Sequence, residues 1–217
     1  MIRRSLGAAL LLASLGLDVK FLPADFERVE PYSTELNRMG IETLDGDWYR
    51  ENWKTWIRQN GPSIDFALFN KPEPASGFLA DIREYSAAAI IYQCHDLHFL
   101  RLMRQYEVDG DKTNLEKSRA IEIIEKDIIR RADVFLTFSR YEKEVIGEQL
   151  PGQRTEVIPL FFYETLNPPI RDFSSRQGIL YVGGFKHQPN VDAVLWFVKN
   201  VFPEIKKTCQ DLVFHIV

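Results

Sequence analysis

Runs of consecutive apolar residues of strand length, separated by stretches of helix length, constrain this chain more than any other feature. Strand-length apolar clusters of this kind occur at 64–69, 88–92, 133–138 and 155–159, with 88–92 apolar throughout. A strand that is apolar throughout is buried on both faces, which is the pattern of parallel rather than antiparallel sheets. Parallel neighbours need crossover connections, and the intervening stretches supply helices for them. The expectation is therefore a Rossmann-like α/β fold, a parallel sheet covered on both faces. Ligands of such sheets bind beyond the carboxyl ends of the strands, where loops lead into helix N-termini. Function is to be sought just after Tyr92, Phe138 and Val182.

The remaining segments fit the same alternation. Residues 6–15 read as a helix ended by Gly16, followed by a strand at 19–22. The basic start and short apolar stretch of 1–17 also resemble a signal peptide, but the direct run into a strand favours an αβ unit. A helix at 31–39, a short strand at 41–44 and a helix at 49–59 follow. Trp53, Trp56 and Ile57 share one helical face and read as core rather than as a sugar platform. Helices are predicted at 76–84, 97–107 and 113–131, the last with Leu115, Ile121, Ile124, Ile128 and Ile129 on its apolar side. Ser139 reads as the N-cap of a helix at 140–149.

Residues 161–177, with Asn167-Pro-Pro and Ser174-Ser, break the alternation and read as a linker. A strand from Gly178, a Gly-rich turn, a helix at 190–208 and a strand at 211–217 then make one βαβ unit. The expected organisation is a first domain at 1–160, the linker at 161–177, and the start of a second Rossmann-like domain at 178–217. A lone βαβ unit leaves most of a sheet unpaired, and the first domain opens on a helix with no strand before it. Both ends therefore read as truncated.

Composition narrows the classes of function. Hydrophobic residues at 45% and charged residues at 27% are globular proportions, which excludes bulk disorder. A net charge of −4 without a polybasic run argues against nucleic-acid binding. Cys94 and Cys209 fit neither a disulfide framework nor a zinc spacing and read as small residues of a reducing compartment. No apolar run reaches membrane-spanning length. A cytoplasmic location is expected, with peripheral membrane contact through Trp48, Tyr49 and Phe78 left open.

Two constellations carry the chemistry. Gly183-Gly184-Phe-Lys186-His187-Gln-Pro-Asn190 lies between a strand and a helix, where paired glycines and helix amides suit a phosphate. Cys94-His95-Asp96-Leu-His98 follows the strand at 88–92. No further group of Cys, His or Asp completes a metal site with it, so no metal is expected. A histidine at the mouth of a parallel sheet suits hydrogen bonding to a hydroxyl or phosphate, or proton transfer near neutral pH. His95 is the better candidate, because His98 falls on the following helix and reads as packing. Ser139 lines the same end of the sheet. Arg101 and Arg104 stand one helical turn apart, suited to steering an anion but more simply solvated.

These blocks, with Arg131-Ala-Asp133 to Glu142, Val157-Ile-Pro159 and above all 178–193, are similar to glycosyltransferase family 4 enzymes of the GT-B fold. The resemblance implies two Rossmann-like domains facing each other across a cleft. It implies transfer of a sugar from a nucleotide-sugar donor to an acceptor hydroxyl with retention, usually without a metal. On that resemblance His95, with Asp96, meets the transferred sugar or its phosphate, and Gly183 and Gly184 approach the donor pyrophosphate. Many relatives carry Lys-Gly where this chain has Asn190-Val191, so a basic contact falls to Lys186 or His187. The family's acidic pair would lie beyond residue 217, and the chain alone is expected to show no turnover. The acceptor, a glycan or a lipid-linked sugar, is not specified. A sugar-nucleotide epimerase or hydrolase on the same scaffold, and a non-catalytic binding module, are the alternatives.

Overall fold

The computed structural model describes residues 2–159 and 177–217, with side chains from Gly7 onward; the expected linker, apart from residue 177, lies outside them. The chain divides into two compact units, Met1–Phe162 and Tyr163–Val217. In the first, the elements are α1 (Ile2–Ser14), β1 (Lys20–Phe21), α2 (Tyr32–Arg38), β2 (Glu42–Thr43), α3 (Asp47–Asn60) and a 3-10 turn at Gly61–Ser63. There follow β3 (Phe66–Asn70), α4 (Pro72–Tyr85), β4 (Ala89–Gln93), α5 (His98–Asp109), α6 (Lys112–Arg131), β5 (Val134–Thr137), α7 (Arg140–Gln149) and β6 (Thr155–Val157). Local signals set the ends. Pro72 opens α4, where its missing N–H costs nothing, and Gly110 closes α5 at φ 70°. The Asp111 side chain accepts from Thr113 N to start α6.

The main sheet has the order β3-β4-β5-β6, all parallel, and is Rossmann-like in its alternation of strand and helix. Phe69, Tyr92, Phe135 and Thr155 form one row across it. These residues are buried, and the Tyr92 and Phe135 rings stack with centroids 5.7 Å apart. The expectation that helices cover both faces needs correction for this sheet. Strands paired in chain order, joined by right-handed crossovers, send every connecting helix to the same face. On the other face of the edge strand β3, Phe66 is 61% exposed and Leu68 is exposed as well. Strands β1 and β2 do not extend this sheet; they pair with each other, Lys20 opposite Glu42, over a small core of Ala9, Leu36 and Ile41.

Trp53, Trp56 and Ile57 are buried, as the helical spacing of 49–59 predicts. The two indoles stack 5.6 Å apart, and Trp53 Nε1 donates to Asp81 Oδ2 at 3.0 Å. Phe78, expected at the surface, packs edge-on to Phe26 and Trp53 in the main core, because it follows Ala75 by three positions and precedes Ile82 by four on one face of α4. Tyr49 is half-buried with its hydroxyl on Glu42, which leaves Trp48 as the exposed aromatic of that trio. The expected apolar side of α6 is buried at Ile128 and Ile129 and half-buried at Leu115 and Ile121, with Ile124 the exception. Ile123 is 73% exposed and Ile124 is exposed, while Asn114, Ser118, Glu125, Ile128 and Ile129 face inward. That face packs against α5, whose first turn requires acceptors that isoleucine cannot supply.

The second unit holds β7 (Ile179–Tyr181), α8 (Gln188–Trp196), a π-helical stretch Phe197–Val201, α9 (Phe202–Thr208) and β8 (Phe214–Ile216). Strands β7 and β8 pair in parallel, Ile179 opposite Phe214, as the βαβ reading requires. The single helix expected at 190–208 is interrupted. Pro203 has no N–H to donate, and its ring crowds the carbonyl four residues earlier, so the backbone widens into π geometry just before it. Phe197, Phe202 and Phe214 hold the pieces together, the closest pair of rings being 4.8 Å apart. Among the described residues, no helix is long and apolar enough to cross a membrane.

Candidate functional site

The candidate site is built on the carboxyl end of β4. Cys94 N donates to Leu136 O at 3.0 Å, which carries the pairing with β5 one residue past β4. The chain leaves the sheet at His95. This histidine is half-buried, and its ring lies 5.2 Å from that of Phe138, the residue that follows β5. Asp96 is drawn to α5, where Arg101 Nε meets its Oδ2 at 3.1 Å. Arg104 lies over the Tyr141 ring at 5.1 Å. The two arginines are thus engaged with Asp96 and Tyr141, and Asp96 is an ion-pair partner as well as the neighbour of His95. Asp133, part of the block resembling the transferase family, faces the other end of the sheet. It accepts from Ile90 N at 2.6 Å and pairs with Arg83, and these contacts, the first the larger, lower its pKa.

The first amides of α5 have no intrahelical partner, and Leu97 at the N-cap has no side-chain acceptor to offer. Glu125 of α6 takes that role with none of its surface exposed. Its Oε1 accepts from His98 N at 3.1 Å and lies 2.8 Å from His98 Nδ1; its Oε2 accepts from Phe99 N at 3.0 Å. Glu142 of α7 holds the residue before: its Oε1 accepts from Leu97 N at 2.9 Å. The other Glu142 oxygen accepts from the Thr137 hydroxyl, whose oxygen accepts from Ser139 N at 3.2 Å. Ser139 Oγ accepts from Glu142 N at 3.4 Å, so Ser139 is the N-cap its position predicts.

Neither glutamate stands among the sequence candidates. A signal for each exists. Glu125 sits among Ile121, Ile128 and Ile129 on one helical face, where a carboxylate needs partners. Ser139-Arg-Tyr-Glu142 is a capping-box pattern, in which glutamate would turn back to the N-cap amide. Here Thr137 takes that amide and releases Glu142 to reach Leu97.

Cys94, His98 and Glu125 bring one ligand-type atom each within 4.8 Å of one another, a group that needed a glutamate far away in sequence. The donor set does not favour a cation. Both Glu125 oxygens already receive N–H groups, and Cys94 Sγ lies 2.7 Å from Asp96 O. Burial, with Glu125 adding to it, raises the Cys94 pKa, so the thiol keeps the proton that a metal would have to displace. The Tyr92 pKa is likewise raised, first by burial.

His98 responds in the opposite sense. Its hydrogen bond to Glu125 raises its pKa above the ordinary 6.5, against the opposing effect of burial. A group whose folded pKa is raised contributes stability in full below its unfolded pKa and loses it as the pH rises through the folded value. Urea unfolding from about pH 5.5 to about 8.5 is therefore expected to show the wild type's margin over His98→Gln greatest on the acid side and narrowing above about 6.5. A margin independent of pH would contradict the ion pair.

In the second unit, Gly183 N donates to Val217 O at 2.9 Å, which commits that amide to the β7–β8 pairing. A Cβ there would sit 2.7 Å from the Tyr181 ring, which would have to shift to admit it. Asn190 Nδ2 closes the turn on Gly184 O at 3.0 Å, and His187 N donates to the same carbonyl. The amides of Gly184, Phe185 and Lys186 stay outside the turn's own hydrogen bonds, and the Lys186 and His187 side chains are exposed. Of the expected phosphate contacts, Gly184, Lys186 and His187 remain available, whereas the Gly183 amide and the Asn190 side chain hold the turn together.

One further feature escapes sequence reasoning. Lys71, at the carboxyl end of β3 beside β4, has φ 104°. A non-glycine residue in that region is strained, and such strain gathers at functional loops. A hollow lined by Arg130, Leu150 and Gln153 lies at the opposite end of the strands and holds none of the candidate residues. Comparison with family models, with curated proteins and with solved structures finds no match for this chain.

Proposed function

We propose that this chain belongs to a sugar-nucleotide-dependent glycosyltransferase of the family 4 type, acting with retention and without a metal. The observation that carries the proposal is the position of His95. It is the first residue beyond the β4–β5 pairing, half-buried against Phe138, at the end of a parallel sheet where α/β proteins bind ligands. An imidazole there donates to or accepts from a sugar hydroxyl or a phosphate oxygen, and near pH 7 it can also hold or release a proton. In the second unit, the Gly184 to Lys186 amides and the Lys186 side chain are suited to a pyrophosphate. Asn190 is left as the residue that shapes the turn.

Calorimetric titration of the 217-residue chain with a panel of nucleotide sugars, UDP-glucose and GDP-mannose among them, tests this. At least one is expected to bind, and His95→Ala is expected to weaken binding about tenfold, the effect of one hydrogen bond of about 1.4 kcal/mol. Silence toward every member of the panel would sink the proposal and favour a non-catalytic module.

A further inference from the structure

We propose that Glu142 is a positioning residue that locks the loops after β4 and β5 into one platform and thereby fixes the place of His95. The inference rests on the reading of His95 as the ligand-contacting residue, but its geometry is independent of any ligand. Three contacts join the two loops beyond the sheet. Glu142 Oε1 accepts from Leu97 N, two residues after His95, while its other oxygen accepts from Thr137 at the end of β5. Cys94 N donates to Leu136 O just before His95. The His95 ring itself lies on Phe138, between Thr137 and Ser139. The His95–Asp96 step is therefore pinned on both sides to the same neighbouring loop, and Glu142 is the side chain that spans them.

The physical reason for a carboxylate is its number of acceptor sites. Leu97 N is buried with no acceptor of its own, and Thr137 is fully buried with a hydroxyl that must also receive Ser139 N. One carboxylate satisfies the amide and the hydroxyl together. Glu125 holds the next two amides from the opposite side, so the segment 97–99 has acceptors on α6 and α7 at once. Ser139 connects the platform to the second loop, because its amide and its Oγ both belong to this chain of bonds. A ligand touching either loop would meet a surface already arranged rather than one it must order.

Amide exchange at Leu97 and the ring resonances of His95 test the proposal in the ligand-free chain. In Glu142→Ala, the Leu97 amide is expected to exchange roughly tenfold faster, the factor for losing one hydrogen bond to a charged group. The His95 ring protons are expected to move as the ring shifts relative to Phe138. Glu142→Gln keeps an oxygen for Leu97 N and a donor for Thr137 Oγ1, and should restore the His95 resonances and most of the Leu97 protection. Should Glu142→Ala fail to fold, Thr137→Val removes the second anchor without adding volume, and the same His95 shift is expected from it. Unchanged His95 resonances and Leu97 protection in a folded Glu142→Ala or Thr137→Val chain would overturn the proposal. So would a glutamine variant as perturbed as the alanine one. A chain that passes this test yet ignores every nucleotide sugar would leave the platform standing and remove only its ligand.

Discussion

Glu125→Ala is expected to lower stability by about 3–5 kcal/mol, the scale of breaking a buried charged interaction by deleting one side. The carboxylate has no exposed surface and receives His98 N, Phe99 N and the His98 ring. Removing it leaves two amides at the start of α5 in the interior without acceptors, and each such loss costs about 1–3 kcal/mol. The His98 ring then keeps its position without the partner that raises its pKa. Glutamine at 125 retains one oxygen and is expected to recover part of the loss, since it can serve the His98 donors but not Phe99 N as well. Urea unfolding monitored by tryptophan fluorescence measures the change. A loss below about 1 kcal/mol for the alanine variant would mean that water or a rearranged loop takes over these donors, and the buried cap would be disproved.

Two glycine substitutions in neighbouring elements are expected to act in opposite directions. Gly61 joins α3 to β3 at a buried crossing, where an added Cβ would stand 2.2 Å from the Tyr85 carbonyl oxygen. That atom is backbone at the end of α4, so it cannot turn aside as a flexible side chain would. Gly61→Ala is expected to cost about 3 kcal/mol, the upper part of the usual overpacking range, because the contact between α3 and α4 must open. Gly77 lies within α4, and a Cβ there meets nothing within 4 Å. Gly77→Ala is expected to stabilise by up to about 1 kcal/mol through helix propensity and a less flexible unfolded chain. Thermal unfolding of the two variants side by side separates steric crowding from a general intolerance of change. A neutral Gly61→Ala would show that the crossing is looser than its geometry indicates.

Much of the fold was legible because its signals are local. The apolar runs at 88–92 and 133–138 became β4 and β5, and Ser139 capped α7, since a strand buried on its sheet and an N-cap hydroxyl leave direct marks on residue type. The break before Pro203 has an equally local cause in its missing N–H, although the apolar pattern continues across it. What the sequence did not give up depends on pairing partners. Strand order decides which face of β3 receives helices, and no property of Phe66 or Leu68 reveals it. The acceptors of Leu97, His98 and Phe99 come from residues far along the chain, so the apolar setting of Glu125 and the capping-box position of Glu142 do not say which amides they serve. His95 and His98 illustrate the division. Their separation into a sheet-mouth residue and a packing residue was readable from position, but the buried carboxylates that hold the segment between and beyond them were not.

Whether His95 contacts a nucleotide sugar, as proposed, is tested most directly by its ring resonances during titration. The four histidines, His95, His98, His187 and His215, give separate reporters in one chain. On adding the nucleotide sugars of the panel, a saturable shift of the His95 ring is expected with at least one of them. The His98 ring, bound to Glu125, is expected to stay in place. Absence of any saturable shift at His95 across the panel would contradict that contact.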